Sequence, residues 1–230
     1  MGDGPAQSVF QGALDIRLED KERWLPFHGN IYRSLNFSHP PDLVPKGYAL
    51  DFKVDGSLTA LVMVQLLLEP HPINPFLVYA AFFDDYMCLD FLLRPYQEYK
   101  PEHLLGMIPD HQTRKTVAAI MAFRHDKKFD EIAEAAKDPV AYRASISEVI
   151  RAPLSIFKGE RDIDQHQKMI CGLLAETLIG TAKPWDQEQF KWFARGLRLA
   201  ICDVDDIVKV RDGINLLMNV HLPITFLAQK

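Results

Sequence analysis

Cysteine is scarce in this sequence. Cys88, Cys171 and Cys202 are the three in 230 residues, without CxxC spacing and without a neighbouring His pair. An odd number of thiols in apolar surroundings fits neither a disulfide framework nor a zinc site. It predicts reduced, buried cysteines and a reducing compartment. Long apolar runs are missing too. No stretch reaches roughly eighteen uncharged apolar residues, so no membrane span is expected. Positive charge is not in excess: 26 Lys and Arg stand against 31 Asp and Glu, a net charge of -5. A general nucleic-acid binder needs clustered Lys and Arg to neutralise the phosphate backbone, so that class is excluded. The opening MGDGPAQSVFQGALDIRLED lacks a basic n-region and an apolar h-region, and therefore does not read as a secretory signal. Ala6 breaks the myristoylation pattern that Gly2 begins. These absences together predict a cytoplasmic protein. HExxH, GxSxG and glycine-rich phosphate loops are also absent, and the eight histidines are dispersed.

What the chain does have is apolar residues, 48% of the total, enough to bury a core of real size. Residues 1–50, punctuated by PFHGN and SHPPDLVPKG, predict an irregular Pro-rich arm anchored by Trp24, Phe27, Tyr32 and Phe37. YALDFKV at 48–54 is open to a short strand or a helix. Beyond it the periodicity turns helical. Ser57 reads as the cap of one helix. Asn74 reads as the cap of the next, with Pro75 at its first position. Ile163, Ile170, Leu174 and Leu178 make an apolar stripe on a later helix. Asp186 and Gln189 form a capping-box pattern before a long final helix that Gly213 would end. The expectation is an all-α, single-domain bundle of about eight helices over residues 51–230, preceded by the arm.

Carboxylates sit where apolar residues dominate. FLVYAAFFDDYMCLDFLL contains Asp84, Asp85 and Asp90, and LRLAICDVDDIVKVRD contains Asp205, Asp206 and Asp212. A buried ionised carboxylate costs several kcal/mol unless it is paired or bound to a cation. Such residues therefore face water, a basic partner or a metal. On a regular helix Asp84 and Asp85 are neighbours in angle, whereas Asp90 points about 120–140° away. Asp205 and Asp212, seven apart, share a face. Pairing of Asp90 with Arg94 at i, i+4 is the simpler alternative for that residue.

DDYMCLD resembles the first aspartate-rich motif of class I isoprenoid synthases, the terpene and prenyl-diphosphate synthases, in its DDxxxxD form. ICDVDDIVKVRD is similar to the second motif of the prenyl-diphosphate branch, with Lys209 in the place of that motif's last aspartate. The resemblance implies an all-helical enzyme of terpene cyclase or prenyl transferase type. It implies Mg²⁺ held by Asp84, Asp85, Asp90, Asp205, Asp206 and Asp212. A substrate diphosphate would lie between the motifs, with Arg94, Arg198 and Arg211 as its basic catalytic helpers. Tyr79, Phe82, Phe83 and Tyr86 would then line the apolar part of the substrate site, where aromatic faces suit an isoprenoid chain or a carbocation. At helical spacing the same aromatics also read as a core stripe. The alternative from a different class is a non-catalytic helical adaptor, whose partner would be a protein docked on residues such as Trp185 and Trp192.

Overall fold

The structure is a computed structural model. It describes residues 4–40, 43–66, 71–82, 90–97, 101–125, 130–134, 136, 138–150 and 162–199, and within these a few side chains, among them those of Asp90, Phe91 and Arg94, fall outside the description. The fold is mostly helical, as expected, with a two-stranded sheet. Among the described residues no helix is long and apolar enough to cross a membrane. The chain divides into two compact units. The first is built from residues 1–88 and 184–214, the second from residues 89–183 and 215–230.

The first unit begins with helix α1 (Gly4–Leu18), strand β1 (Trp24–Phe27) and strand β2 (Tyr32–Leu35). Regular elements thus occupy the segment that the Pro-rich composition marked as an irregular arm. The hairpin is antiparallel, with Trp24 opposite Leu35 and Phe27 opposite Tyr32. Its turn runs through positive φ at His28 (45°), Gly29 (65°) and Asn30 (70°), which is why PFHGN reverses direction there. Pro26 fits because β1 is an edge strand. β2 gains a neighbour on its other side. Arg33 N–H donates to Pro72 O at 2.6 Å, and Asn74 N–H donates to Arg33 O at 2.8 Å.

Helix α2 spans Tyr48–Leu66, so the open reading of YALDFKV resolves to helix. Ser57 is not its cap. It lies in mid-helix, and its hydroxyl donates to Gly196 O at 2.9 Å. The reason is tertiary. Helix α10 (Glu188–Leu199) crosses α2 with the two backbones touching. A Cβ on Gly56 would stand 2.1 Å from Phe193 O, and one on Gly196 would stand 1.9 Å from Lys53 O. Local turn chemistry at Asp-Gly-Ser is overridden by a crossing that only glycine permits. Helix α3 (Pro75–Phe82) starts as the sequence predicts: Asn74 Oδ1 accepts from Phe76 N–H at 3.1 Å, with Pro75 at the first helical position. The box before α10 is different. Gln189 donates its amide to Asn36 O at 3.2 Å, and its Oε1 has no partner, so the reciprocal half of a capping box is not made. Trp24, Phe52, Phe76, Phe190 and Phe193 fill this core.

The second unit holds α4 (Asp90–Gln97), α5 (Pro101–Gly106), α6 (His111–Met121), α7 (Asp130–Ala133), α8 (Pro139–Ile150) and α9 (Ile163–Ile179). Its centre is α9. Ile170, Leu174 and Leu178 of the predicted stripe are fully buried beside Met169 and Leu173. Ile163 is exposed, because it occupies the first helical position where the chain enters from the surface. α9 stops at Gly180, whose φ of 102° no branched residue would adopt. Asp110 caps α6 through a 2.6 Å bond from Thr113 N–H. Cys171 is half-buried and in no disulfide; Cys88 and Cys202 lie outside the described residues.

Candidate functional site

Most of the predicted site falls outside the described residues: Asp84, Asp85, Asp205, Asp206, Asp212, Arg211, Phe83 and Tyr86. Asp90 and Arg94 are described in backbone only, on α4 of the second unit. Gly213 is likewise outside. Three predicted residues have described side chains. Tyr79 is half-buried on α3, edge-on to Phe76 with ring centroids 6.5 Å apart. Phe82 is buried in the same helix.

Arg198 is the most informative. Its Nε donates to Ala81 O at 2.9 Å, and its guanidinium lies over the Trp185 ring, 5.0 Å from the centroid. Trp185 is itself wedged edge-on against Phe190 at 5.1 Å. The sequence arranges this simply. The 3-10 turn Pro184–Asp186 leads into α10 and sets Trp185 beside the apolar face, and Arg198 lies near the helix's other end. The long arginine stem covers apolar surface while the planar head stacks and donates. Arg198 thus ties α10 to Ala81 of α3. In the sequence these two helices precede the two aspartate-rich stretches.

A second constellation was not singled out from the sequence. Asp55, on α2, is completely buried. Arg17 Nε donates to its Oδ1, while Arg23 Nη1 donates to Oδ2 at 2.6 Å and Trp24 Nε1 donates to Oδ2 at 3.1 Å. Arg17 also reaches Asp51 Oδ1 at 2.8 Å, and Arg23 reaches Asp20 Oδ2 at 2.8 Å. Burial opposes the charge on Arg17, but hydrogen bonds and attraction from Asp55 and Asp51 outweigh it and hold the guanidinium above its ordinary pKa. The Arg23 hydrogen bond holds the Asp20 carboxyl below the usual range, against a smaller opposing effect of burial. Asp51 and Asp55 are four apart on a helix of apolar residues. The argument that drew attention to Asp84 applies to them equally, and the unresolved strand-or-helix reading of 48–54 concealed it. Every carboxylate oxygen of Asp55 is engaged by protein donors, so the constellation ties α1, the hairpin and α2 together.

The second unit has polar contacts of another kind. Tyr96 Oη lies 2.7 Å from His166 Nε2 and 3.2 Å from Phe123 O, to which it donates. Tyr142 Oη bonds Thr177 Oγ1, which donates onward to Leu173 O at 2.7 Å. Burial pushes the Tyr142 phenol up to about 12, although the Thr177 bond acts the other way.

Among the described residues no group of three or more His, Cys, Asp or Glu side chains is placed to hold a metal ion. Comparison with protein-family models, with curated proteins and with solved structures finds nothing that matches the chain.

Proposed function

We propose that the chain is a Mg²⁺-dependent enzyme acting on an isoprenoid diphosphate, of terpene cyclase or prenyl transferase type, working in a reducing, cytoplasmic setting. The observation that carries this reading is the bond from Arg198 to Ala81 O. Ala81 precedes Asp84 by three positions and Arg198 precedes Asp205 by seven. Three residues span at most about 11 Å and seven at most about 25 Å, so in this reading both aspartate stretches begin within chain reach of the Ala81–Arg198 contact. The mostly helical fold supports the same reading.

In this reading Asp84, Asp85, Asp205, Asp206 and Asp212 hold the cations. Bound Mg²⁺ would neutralise the charge that develops on a departing diphosphate. Arg211 adds positive charge for the diphosphate oxygens, and Tyr79, Phe83 and Tyr86 offer aromatic faces to the apolar chain. The test is thermal. Mg²⁺ with inorganic pyrophosphate should raise Tm, because both bind the folded state alone. Asp84→Ala and Asp205→Ala should each remove that rise with helical content unchanged, and a linear prenyl diphosphate should release inorganic diphosphate only with the intact pair. A wild-type Tm indifferent to Mg²⁺ and pyrophosphate would overturn the reading.

One observation favours the adaptor instead. Val9 and Ile16 lie seven apart on α1, 64% and 73% exposed, and among the described residues nothing stands within 4 Å of where a Cβ on Gly12 between them would be. If the thermal test fails and Val9→Asp with Ile16→Asp changes the chain's sedimentation or its capture of a partner, the adaptor reading takes its place.

A further inference from the structure

We infer that the face formed by α1 and α2 is a dimer interface, covered by a second copy of this chain, with α1 of each protomer lying over α2 of its partner. The inference goes beyond the diphosphate reading and is independent of it. The two helices run antiparallel. Gln11, in the middle of α1, donates to His71 O at 3.2 Å, beyond the end of α2. Arg17, in the last turn of α1, pairs with Asp51 and Asp55 in the first half of α2. That contact line fixes which side chains share a face. Each residue advances about 100° round a helix, and in an antiparallel pair residues displaced by the same step from the contact line emerge on the same side. Ile16 is one position before Arg17. Leu50 and Val54 are one position before Asp51 and Asp55. Val9, seven before Ile16, shares its face. Together they make one apolar strip across both helices. Val9 is 64% exposed, Ile16 73%, Leu50 70% and Val54 36%. A contiguous strip of this kind left to water marks an interaction surface.

The charges beside the strip identify its occupant. Asp15 and Glu19 are exposed and stand about 60–100° round α1 from Ile16, on the side away from α2. Lys53 is half-buried and stands about 60° round α2 from Leu50, on the side away from α1; Lys46 is exposed just before that helix. The strip thus has an acidic edge on α1 and a basic edge on α2. A two-fold axis can bring this face against itself in two ways. With the axis across the helices, α1 lies on α1 and acid meets acid. With the axis along them, α1 lies on α2, and the acidic edge of each protomer meets the basic edge of the other. Heights along the helices are then kept. Arg17 is level with residues 51–55, so Ile16 meets the partner's Val54 and Glu19 meets the partner's Lys53. The face is self-complementary in charge and in register, as an isologous interface requires.

Sedimentation of the full chain tests this. At about 100 μM the wild type should run as a dimer. Ile16→Asp with Leu50→Asp should weaken it at least about a hundredfold, because four carboxylates would enter the contact unpaired. Helical content should stay the same, since both side chains already face water in the single chain. Charge reversal decides the arrangement. Glu19→Lys alone and Lys53→Glu alone should each weaken the dimer about tenfold, because each sets like charges opposite one another twice. Mixed together, the two variants should pair with each other within about threefold of the wild-type affinity, because every such pair is then opposite in sign again. A wild type that stays monomeric overturns the inference and leaves the face to a different protein. A dimer indifferent to the two aspartates has its interface elsewhere and overturns it as well. Tighter association of Glu19→Lys alone sets α1 on α1 and refutes the arrangement. Should the double aspartate variant fail to fold, the two charge reversals carry the test, and variants that do not restore each other count against the inference.

Discussion

The two units solve the burial of polar groups in opposite ways. In the first, a fully buried carboxylate, Asp55, is surrounded by Arg17, Arg23 and the Trp24 indole. In the second, the described interior contacts turn on hydroxyl groups: Tyr142 with Thr177, and Tyr96 with His166. The lesson concerns what each arrangement can lose. A hydroxyl deprived of its partner leaves one weak donor or acceptor stranded. Deletion of one member of a buried ion cluster leaves an uncompensated charge. The first unit is therefore the more brittle to single substitutions, and the second the more tolerant.

The strongest attack on this contrast is Asp55→Ala. It strands Arg17 and Arg23 and should cost about 3–5 kcal/mol of stability in urea denaturation. A loss below about 1 kcal/mol would mean that water reaches the two arginines and that the cluster is not a dry one. Next comes Gly196→Ala. Its Cβ would meet Lys53 O, a main-chain atom with no rotamer to escape into. A cost of about 1–3 kcal/mol or more is expected, because two backbones must separate. Tyr142→Phe tests the second unit. It removes a neutral bond worth about 1 kcal/mol near neutral pH. The sign of its pH effect is definite. Burial pushes the folded phenol up to about 12, above the ordinary tyrosine value of about 10. Its contribution is complete below pH 10 and is lost as pH rises through 12. The variant should thus lose the latest-titrating phenol in an absorbance titration at alkaline pH, and its stability should fall less steeply there. The smallest effect belongs to Asp20. The Arg23 hydrogen bond holds its carboxyl below the usual carboxylate range, so it stabilises the fold above that range and ceases to as pH falls through its lowered value. It is well exposed, and Asp20→Asn should flatten the acid limb of the stability curve by less than about 1 kcal/mol.

Legibility in the sequence followed how local each cause was. Asn74-Pro75 was read correctly because a cap and its helix lie within four residues. The α9 stripe was legible because its period is intrinsic to the helix. Ser57 was misread because Gly56 and Ser57 look like a helix start, and the partner that makes them a crossing point sits 139 residues away. Residues 4–35 looked irregular because their anchors are also distant: Asp55 for Arg17 and Arg23, and Pro72 for Arg33. Gln189 fitted a capping box by spacing, yet Asn36 competes for its amide and wins. Of the candidate site, composition singled out Arg198, whereas its engagement with Ala81 and Trp185 could come only from the fold.

The crossing of α2 and α10 also carries a consequence for the order of events during synthesis. Arg17 and Asp55 are 38 residues apart, so α1, the hairpin and α2 can close soon after they leave the ribosome. Ser57 must wait for Gly196, 139 residues on, until all of residues 89–183 have been made. That is nearly two doublings in loop length, about 1 kcal/mol more in closure entropy, a modest thermodynamic difference. In time it is large. At roughly 5–20 residues per second, the face of α2 around Gly56 and Phe52 stands uncovered for many seconds. During that interval the nascent chain offers a smooth apolar groove shaped for a helix. The growing polypeptide's need for a chaperone is concentrated there, and a stall before residue 188 should leave a fragment that aggregates, because the helix that covers this face of α2 has not been made.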